Sequence, residues 1–520
     1  MSIRRGWRRA RLGAGVIVAL AAAPAVAAPP TLDWTACAEG VECTTATVPR
    51  DHGDPDGPTL DLAVARVPAR DPTQRIGSVF LNFGGPGAPG AQILRSVGPE
   101  GFAALGDRFD VVSWDPRGTG TSAGAVDCEV DQETEGAYSQ PFPRPSDPAS
   151  EAAFVERTRA YVHRCLERND AGLLPYLGTT QTVRDLDLLR QAVGDEKLTY
   201  VGYSAGTVIG AQYATLFPGL ARANVLDGPV DHARYVRRPV LALREQTSAF
   251  ERALGRFLAA CAARQDVCRF GDEDPPRAFD ELAARLDADP LPVTGAGGRV
   301  VDGDDVRAAA LATLYAKPAW PVLASALAGA AAGDPAEMRA LADAFYGRED
   351  DGGSAPGLDA FVAIGALDQR WPADAGPYLR SGAHAFRLFD HFWVNDYGAL
   401  SFGLWPAEPV GAYSGPVENP SDAATTLVVG TTYDPATPYK DARAMTADLG
   451  NARLLTMRGD GHTASFNGNS SCVDGAVEAY LERGVVPAPG AACDQDVPFA
   501  APERTGRRAH ARPRPVRPPW

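Results

Sequence analysis

The stretch VGYSAGT, Val201 to Thr207, sets Ser204 between two glycines, directly after one apolar run and before another. A serine hydroxyl is a weak nucleophile at neutral pH and needs a neighbouring base to take its proton. Of the seven histidines, His462 stands apart. It lies in RLLTMRGDGHTASF, where an apolar run ends in a Gly-rich loop that would deliver an imidazole at a strand end. Between it and the serine lies TTLVVGTTYDPATP, whose apolar run ends in a loop bearing Asp434. An acid there can hold the imidazole in the required tautomer and stabilise its charged form. The alternative for Asp434 is a turn cap ahead of Pro435, and Asp460 is a rival acid that is too near His462 in sequence to reach round easily. His52 and His163 precede the serine, and His510 is in the tail. His232, His384 and His391 fall in a long segment without strand pattern, where packed or solvent-facing imidazoles are expected. Protonation of His462 should stop the reaction, because an imidazolium cannot accept the serine proton.

Acyl transfer through a serine also needs two backbone donors aimed at the developing oxyanion. The amide of Ala205 follows the candidate nucleophile, and a second donor is expected from the loop NFGGPGAPG, Asn82 to Gly90, at Gly85. So many glycines could instead cradle a phosphate. Neither a P-loop Lys with Ser/Thr nor a GxGxxG register is present, which argues against that use. No cofactor is expected.

These residues need a scaffold that brings strand ends together. SVFLNF (78–83) and FDVVSW (109–114) are near-continuous apolar runs, as in strands buried on both faces, whereas PTLDLAVAR (58–66) alternates. The run LTYVGY (198–203) follows TTQTVRDLDLLRQAVG, in which Val183, Leu186, Leu189 and Val193 recur at helical spacing and Gly194 closes the turn. After Ser204 a helix-like run is stopped by Pro218. Strand, helix, strand is the pattern of a mostly parallel sheet with crossover helices, an α/β fold. GxSxG alone is weak, and Gly120 to Gly124, GTSAG, matches it too. Only the match at 202–206 has a strand before it and a helix after it. That context is a nucleophile elbow, and the chain order Ser204, Asp434, His462 is that of the α/β-hydrolase triad.

The chain has 520 residues, 45% of them apolar, enough for a large core plus an inserted unit. Residues 1–28 carry an arginine-rich start, the apolar run GAGVIVALAAA and Ala25-Val26-Ala27, which is read as a cleaved secretory signal. The apolar run is shorter than a membrane span and is broken by Pro24, so no membrane insertion is expected after cleavage. The formal net charge is −15, and the basic residues of both termini leave the body between them more acidic still. Such a body repels nucleic acid and anionic membrane. The last twenty residues, 501–520, are rich in Pro and Arg, and the composition predicts disorder. An even number of cysteines in an exported chain argues for disulfides: Cys37, Cys43, Cys128, Cys165, Cys261, Cys268, Cys472 and Cys493. Pairing of sequence neighbours is expected, although the sequence cannot choose among the roughly one hundred pairings possible. No CxxC and no histidine at ligand spacing accompany them, so no metal is expected.

GGPG (84–87), DPRGTGTS (115–122), VGYSAGT (201–207), GTTYDPATP (430–438) and GDGHTA (459–464) together resemble the secreted tripeptidyl aminopeptidases of the α/β-hydrolase superfamily, relatives of the prolyl iminopeptidases. The likeness runs over about residues 34 to 495. It implies triad roles for Ser204, Asp434 and His462, with Gly85 and Ala205 as oxyanion donors. It implies cleavage of short peptides from free N-termini through an acyl-enzyme. It also implies a core in two halves, 29–231 and 416–500, around a helical cap at 232–415, and a C-terminal piece tied by Cys472 with Cys493. Secretion, with possible retention at the cell wall, follows as an expectation. The chain departs from the family at Phe83, where Pro is usual, and at Pro89, where Ser is frequent. It has no Cys pair in the cap segments 363–372 and 398–406, which predicts a looser cap. An aminopeptidase must recognise an ammonium, which calls for a carboxylate at the closed end of the cleft, and Asp368 is the candidate. A secreted esterase or lipase with the same triad, or a catalytically silent binding protein, are the other readings, since fold does not fix the acyl substrate.

Overall fold

The computed structural model describes residues 27–294, 298–349 and 353–500. The expected signal segment up to Val26 and the basic tail 501–520 lie outside the described residues.

Ten strands form one sheet: β1 (Thr35–Ala38), β2 (Val41–Pro49), β3 (Thr59–Val67), β4 (Gly77–Asn82), β5 (Phe109–Trp114), β6 (Leu198–Tyr203), β7 (Ala221–Asp227), β10 (Thr426–Tyr433), β11 (Ala452–Asp460) and β12 (Ala492–Asp494). Between β7 and β10, β8 (Leu291–Pro292) and β9 (Val300–Val301) make a separate two-stranded ribbon. The order across the large sheet is β1-β2-β3-β5-β4-β6-β7-β10-β11-β12. β1, β2 and β3 pair antiparallel with their neighbours, and β5 through β12 run parallel. This is the α/β-hydrolase architecture. β4, β5 and β6 are buried at every position, which is why their sequences are apolar runs rather than alternations.

Alternation along the strands splits the interior into two cores. Val79, Leu81, Val201, Val225, Val429 and Met457 face one side with the helix Ser471–Arg483. Phe80, Val112, Trp114 and Tyr200 face the other. That second core continues without a break into the helical segment, through Phe250, Leu311, Trp320 and Phe345. Burial of this much apolar surface, at about 25 cal/mol per Å², welds the helical segment to the sheet.

Four disulfides pair sequence neighbours: Cys37 with Cys43, Cys128 with Cys165, Cys261 with Cys268, and Cys472 with Cys493. The last ties the helix Ser471–Arg483 to β12. The two cap segments without a cysteine pair, 363–372 and 398–406, meet through aromatic side chains. Trp371 stacks on Phe402 with ring centroids 4.9 Å apart, and Phe361 meets Phe402 edge-on at 5.4 Å. Aromatic packing thus joins the two segments that lack cysteines. No helix among the described residues is long and apolar enough to cross a membrane.

Candidate active site

β6 ends at Tyr203 and the helix Gly206–Leu216 starts three residues later, so the chain must reverse within the pentapeptide. Ser204 takes φ of +54°, a conformation that a non-glycine residue holds only under constraint. The flanking glycines are there for space. A Cβ on Gly202 would sit 2.4 Å from the carbonyl oxygen of Gly206, and one on Gly206 would sit 2.6 Å from Oδ1 of Asn82. The elbow is held by the Ser204 amide, which donates to the carbonyl of Asp227 at 2.9 Å, and by the hydroxyl of Thr207, which donates to the Ser204 carbonyl at 2.6 Å. The Ser204 side chain thereby stands at the carboxyl end of the sheet.

The glycine loop after β4 lies directly against this elbow. A Cβ on Gly84 would fall 2.5 Å from the Tyr203 carbonyl oxygen and 2.8 Å from the Ser204 Cβ, so only glycine permits the approach. Gly85 shares a cleft with Ser204, and Ala205 lines a smaller adjoining cavity with Asn82 and Gly84. Phe83, the residue that departs from the family's Pro, stacks on Tyr203 at 6.0 Å and fixes the start of the same loop.

Asp434 and His462 are brought together. Nδ1 of His462 lies 2.9 Å from Oδ2 of Asp434 and 3.0 Å from Oδ1, with both side chains buried. The Asp434 carboxylate also accepts from the amides of Ala436 and Thr437, at 2.9 and 2.8 Å, and from the Thr437 hydroxyl at 3.1 Å. It is therefore turn cap and imidazole partner at once. The His462 amide donates to the carbonyl of Tyr315 at 2.7 Å, and the Tyr315 ring meets the imidazole edge-on at 5.6 Å. Nε2 is buried with no hydrogen-bond partner among the described residues. It is the imidazole atom left over for proton transfer, and the Ser204 hydroxyl is not bonded to it in this structure. Apo sites often hold such bonds open until substrate binds.

Asp460, the rival acid, is engaged elsewhere. It pairs with Arg256 and, at 3.2 Å, with the ammonium of Lys317, both from the helical segment. Of the other described histidines, His391 bridges Glu251 and Asp280 at 2.7 and 2.8 Å, burial lowers His232 to about 4, and His163 and His384 are exposed.

A cleft lies over Ser204. Apolar side chains of the helical segment, Phe250, Leu311, Phe345 and Leu358 among them, wall it, and two neutral amides, Gln246 and Asn395, line it too. The Gln246 side-chain nitrogen donates to the carbonyl of Ala436 at 2.8 Å. No carboxylate is among the described residues lining the cleft. This corrects the expectation for Asp368. Its two oxygens accept from the amide and hydroxyl of Thr179 at 2.7 and 2.6 Å, capping the helix Thr179–Ala192. Burial raises its carboxyl to about 6.

A family model described as "alpha/beta hydrolase fold" matches residues 79–279, and one described as "TAP-like protein" matches residues 389–493. The chain is 33% identical to serine protease Hip1 of Mycobacterium tuberculosis, over 89% of this chain and 91% of that one. It is 33% identical to carboxylesterase B of the same organism, with 91% of each chain covered. It is 30% identical to tripeptidyl aminopeptidase of Streptomyces coelicolor, over 96% of this chain and 91% of that one. The chain belongs to the tripeptidyl aminopeptidase family of α/β-hydrolases. It is a serine hydrolase. Within this member the site uses residues that motif reading missed: Thr437 on the acid, Tyr315 on the imidazole, Gln246 and Asn395 in the cleft, and Asp227. Asp227 could have been found, since NVLD ends a strand just before Gly228, the same placement that singled out Ser204.

Proposed function

We propose that this protein is an exported serine exopeptidase that releases short peptides from free N-termini. Ser204 is the nucleophile, His462 the general base and then acid, and Asp434 the group that orients and stabilises the imidazole. Ser204 Oγ attacks the scissile carbonyl as its proton passes to Nε2, and the amides of Gly85 and Ala205 receive the oxyanion. The imidazolium then protonates the leaving amine, and water resolves the acyl-enzyme by the same route. Residues 232–415 act as the cap that shields this chemistry from bulk water.

The observation that carries the reading is the strained elbow at Ser204, set at the floor of a cap-covered cleft whose neighbouring imidazole keeps Nε2 unpartnered and Nδ1 on Asp434. The peptidase assignment draws on the names of two relatives, a serine protease and a tripeptidyl aminopeptidase. Export is supported by the four disulfides. The carboxylesterase B relative favours a second reading, an esterase with the same machinery. Turnover of p-nitroanilides of free and N-acetylated short peptides, beside short-chain esters, separates them. Free-amine peptides should be cleaved and acetylated ones spared, with mass spectrometry giving the length released; ester turnover with no peptide cleavage would replace the proposal by the esterase reading.

A further inference from the structure

Asp227 closes β7 and is fully buried, at 0% exposure. Its backbone carbonyl accepts the Ser204 amide at 2.9 Å, which fixes the elbow. Its carboxylate reaches the other way, into the loop that carries His462. There it accepts the amide of Ala464 at 3.0 Å, the amide of Ser465 at 2.7 Å and the hydroxyl of Ser465 at 2.6 Å. The next residue, Gly228, donates its amide to Val429 of β10 at 3.0 Å, the strand that leads to Asp434. A Cβ on Gly228 would lie 3.0 Å from the imidazole Cε1. Two consecutive residues therefore touch all three chain segments that supply the reacting groups.

The loop they hold would not keep its shape unaided. Thr463 and Phe466 take φ of +63° and +56°, on either side of the two residues bonded by Asp227. For a β-branched Thr and a bulky Phe that conformation is disfavoured, and it persists only where surrounding contacts over-determine it. A buried carboxylate accepting several charge-assisted bonds supplies that constraint. Nothing in the cleft requires an acid at Asp227, since it is not among the residues lining it. Its burial is costly, and its carboxyl is raised to about 6 despite the pull of these donors.

We propose that Asp227 is a positioning residue that clamps the nucleophile elbow and the histidine loop in register, so that Nε2 of His462 arrives within reach of Ser204 Oγ. The proposal rests on the triad reading above, because its effect passes through His462. A clamp of this kind acts on the chemical step and leaves ground-state substrate binding alone. Asp227→Asn, which keeps one acceptor, and Ser465→Ala, which removes one donor and leaves the carboxylate bonded to both amides, are the test pair. Each is compared with the parent by kcat and KM on a cleaved substrate, by the rate of fluorophosphonate labelling, and by far-UV circular dichroism and Tm.

The expected result is a kcat lowered at least tenfold for Asp227→Asn and a few-fold for Ser465→Ala, with KM within twofold and labelling slowed in proportion, in folded protein. If Asp227→Asn does not fold, Ser465→Ala decides alone. A raised KM with kcat unchanged, or activity that falls only with the folded fraction, overturns the clamp. Retained labelling in Ser204→Ala would overturn the triad reading itself, whereas loss of labelling there with normal kcat in both test variants would remove only the role of Asp227.

Discussion

The chain contains the pentapeptide GxSxG twice, and the two serines have opposite fates. Ser122 sits in a loop after β5, where its hydroxyl donates to the carbonyl of Asp115 at 2.6 Å and accepts the amide of Ala63 at 3.0 Å. Both of its ordinary capacities are used, and its glycines serve turns, with φ of +57° at Gly120 and +70° at Gly124. Asp115 in the same turn accepts the amides of Ala91 at 2.8 Å and Thr121 at 2.9 Å, so this serine turn braces the helix Gly90–Val97 that follows the glycine loop. Ser204 instead occupies a junction between strand and helix, is itself the residue with positive φ, and faces the cleft. One serine is consumed by the scaffold. The other is presented by it. Asp434 and Asp460 repeat the contrast among acids flanking His462: Asp434 meets the imidazole, and Asp460 meets the guanidinium of Arg256 and the ammonium of Lys317.

The largest expected effect is at the presented serine. Ser204→Ala should lower kcat by about 10⁴-fold or more, judged from triad deletions in other serine enzymes, and abolish fluorophosphonate labelling, while Ser122→Ala labels normally. Labelling lost from the Ser122 variant as well would end the distinction between the two turns. Next comes the pair of acids. Asp434→Asn should cost about 10³- to 10⁴-fold in kcat through the wrong imidazole tautomer, measured in steady-state assays. Asp460→Asn should cost less than about tenfold, because its ion pairs are with Arg256 and Lys317 of the helical segment rather than with the imidazole. Equal losses at the two positions would mean that Asp460 shares the acid's role.

Smaller, and on stability rather than rate, Ser122→Ala should lower unfolding free energy by about 1–3 kcal/mol, since it leaves the amide of Ala63 without its partner. Urea denaturation measures it; no change would show that the scaffold serine is dispensable. The smallest effect belongs to Asp368. Its folded carboxyl is raised to about 6 from an ordinary value of 3.8 by burial, so the native state holds a proton that the unfolded chain releases. Its contribution to stability is present below that ordinary value and is lost as pH rises towards 6. Asp368→Asn should flatten that part of the Tm profile and leave KM for free-amine peptides unchanged; a raised KM for those peptides alone would restore Asp368 to substrate recognition.

Much of the site was legible because strand ends announce themselves. Apolar runs closing on Ser204, Asp434 and the loop of His462 are local patterns, forced by burial of both faces of a parallel sheet. The glycines at 202 and 206 were legible for the same reason, since the turn they make is set by neighbours in sequence. Asp227 was harder. Its partners Ala464 and Ser465 lie more than two hundred positions away, with separations of 237 and 238, and no periodicity reports such a pairing. Asp368 was misread because an acid at the end of an apolar helical segment looks the same whether it meets an ammonium or the amide of a capped helix. The contact between the two cap segments was not legible either, because Trp371 stacked on Phe402 links them in a way that a cysteine count does not register.

The sequence by itself determined the α/β sheet, the elbow and the identities of the groups able to react, because strand burial, helix periodicity and steric room at glycine act over a few residues. Tertiary structure decided which acid meets which base, which carboxylates hold scaffold rather than substrate, and how the helical segment walls the cleft. Those outcomes depend on which donors a buried charge finds once distant segments pack, and desolvation makes each such charge take the partners that folding brings within reach.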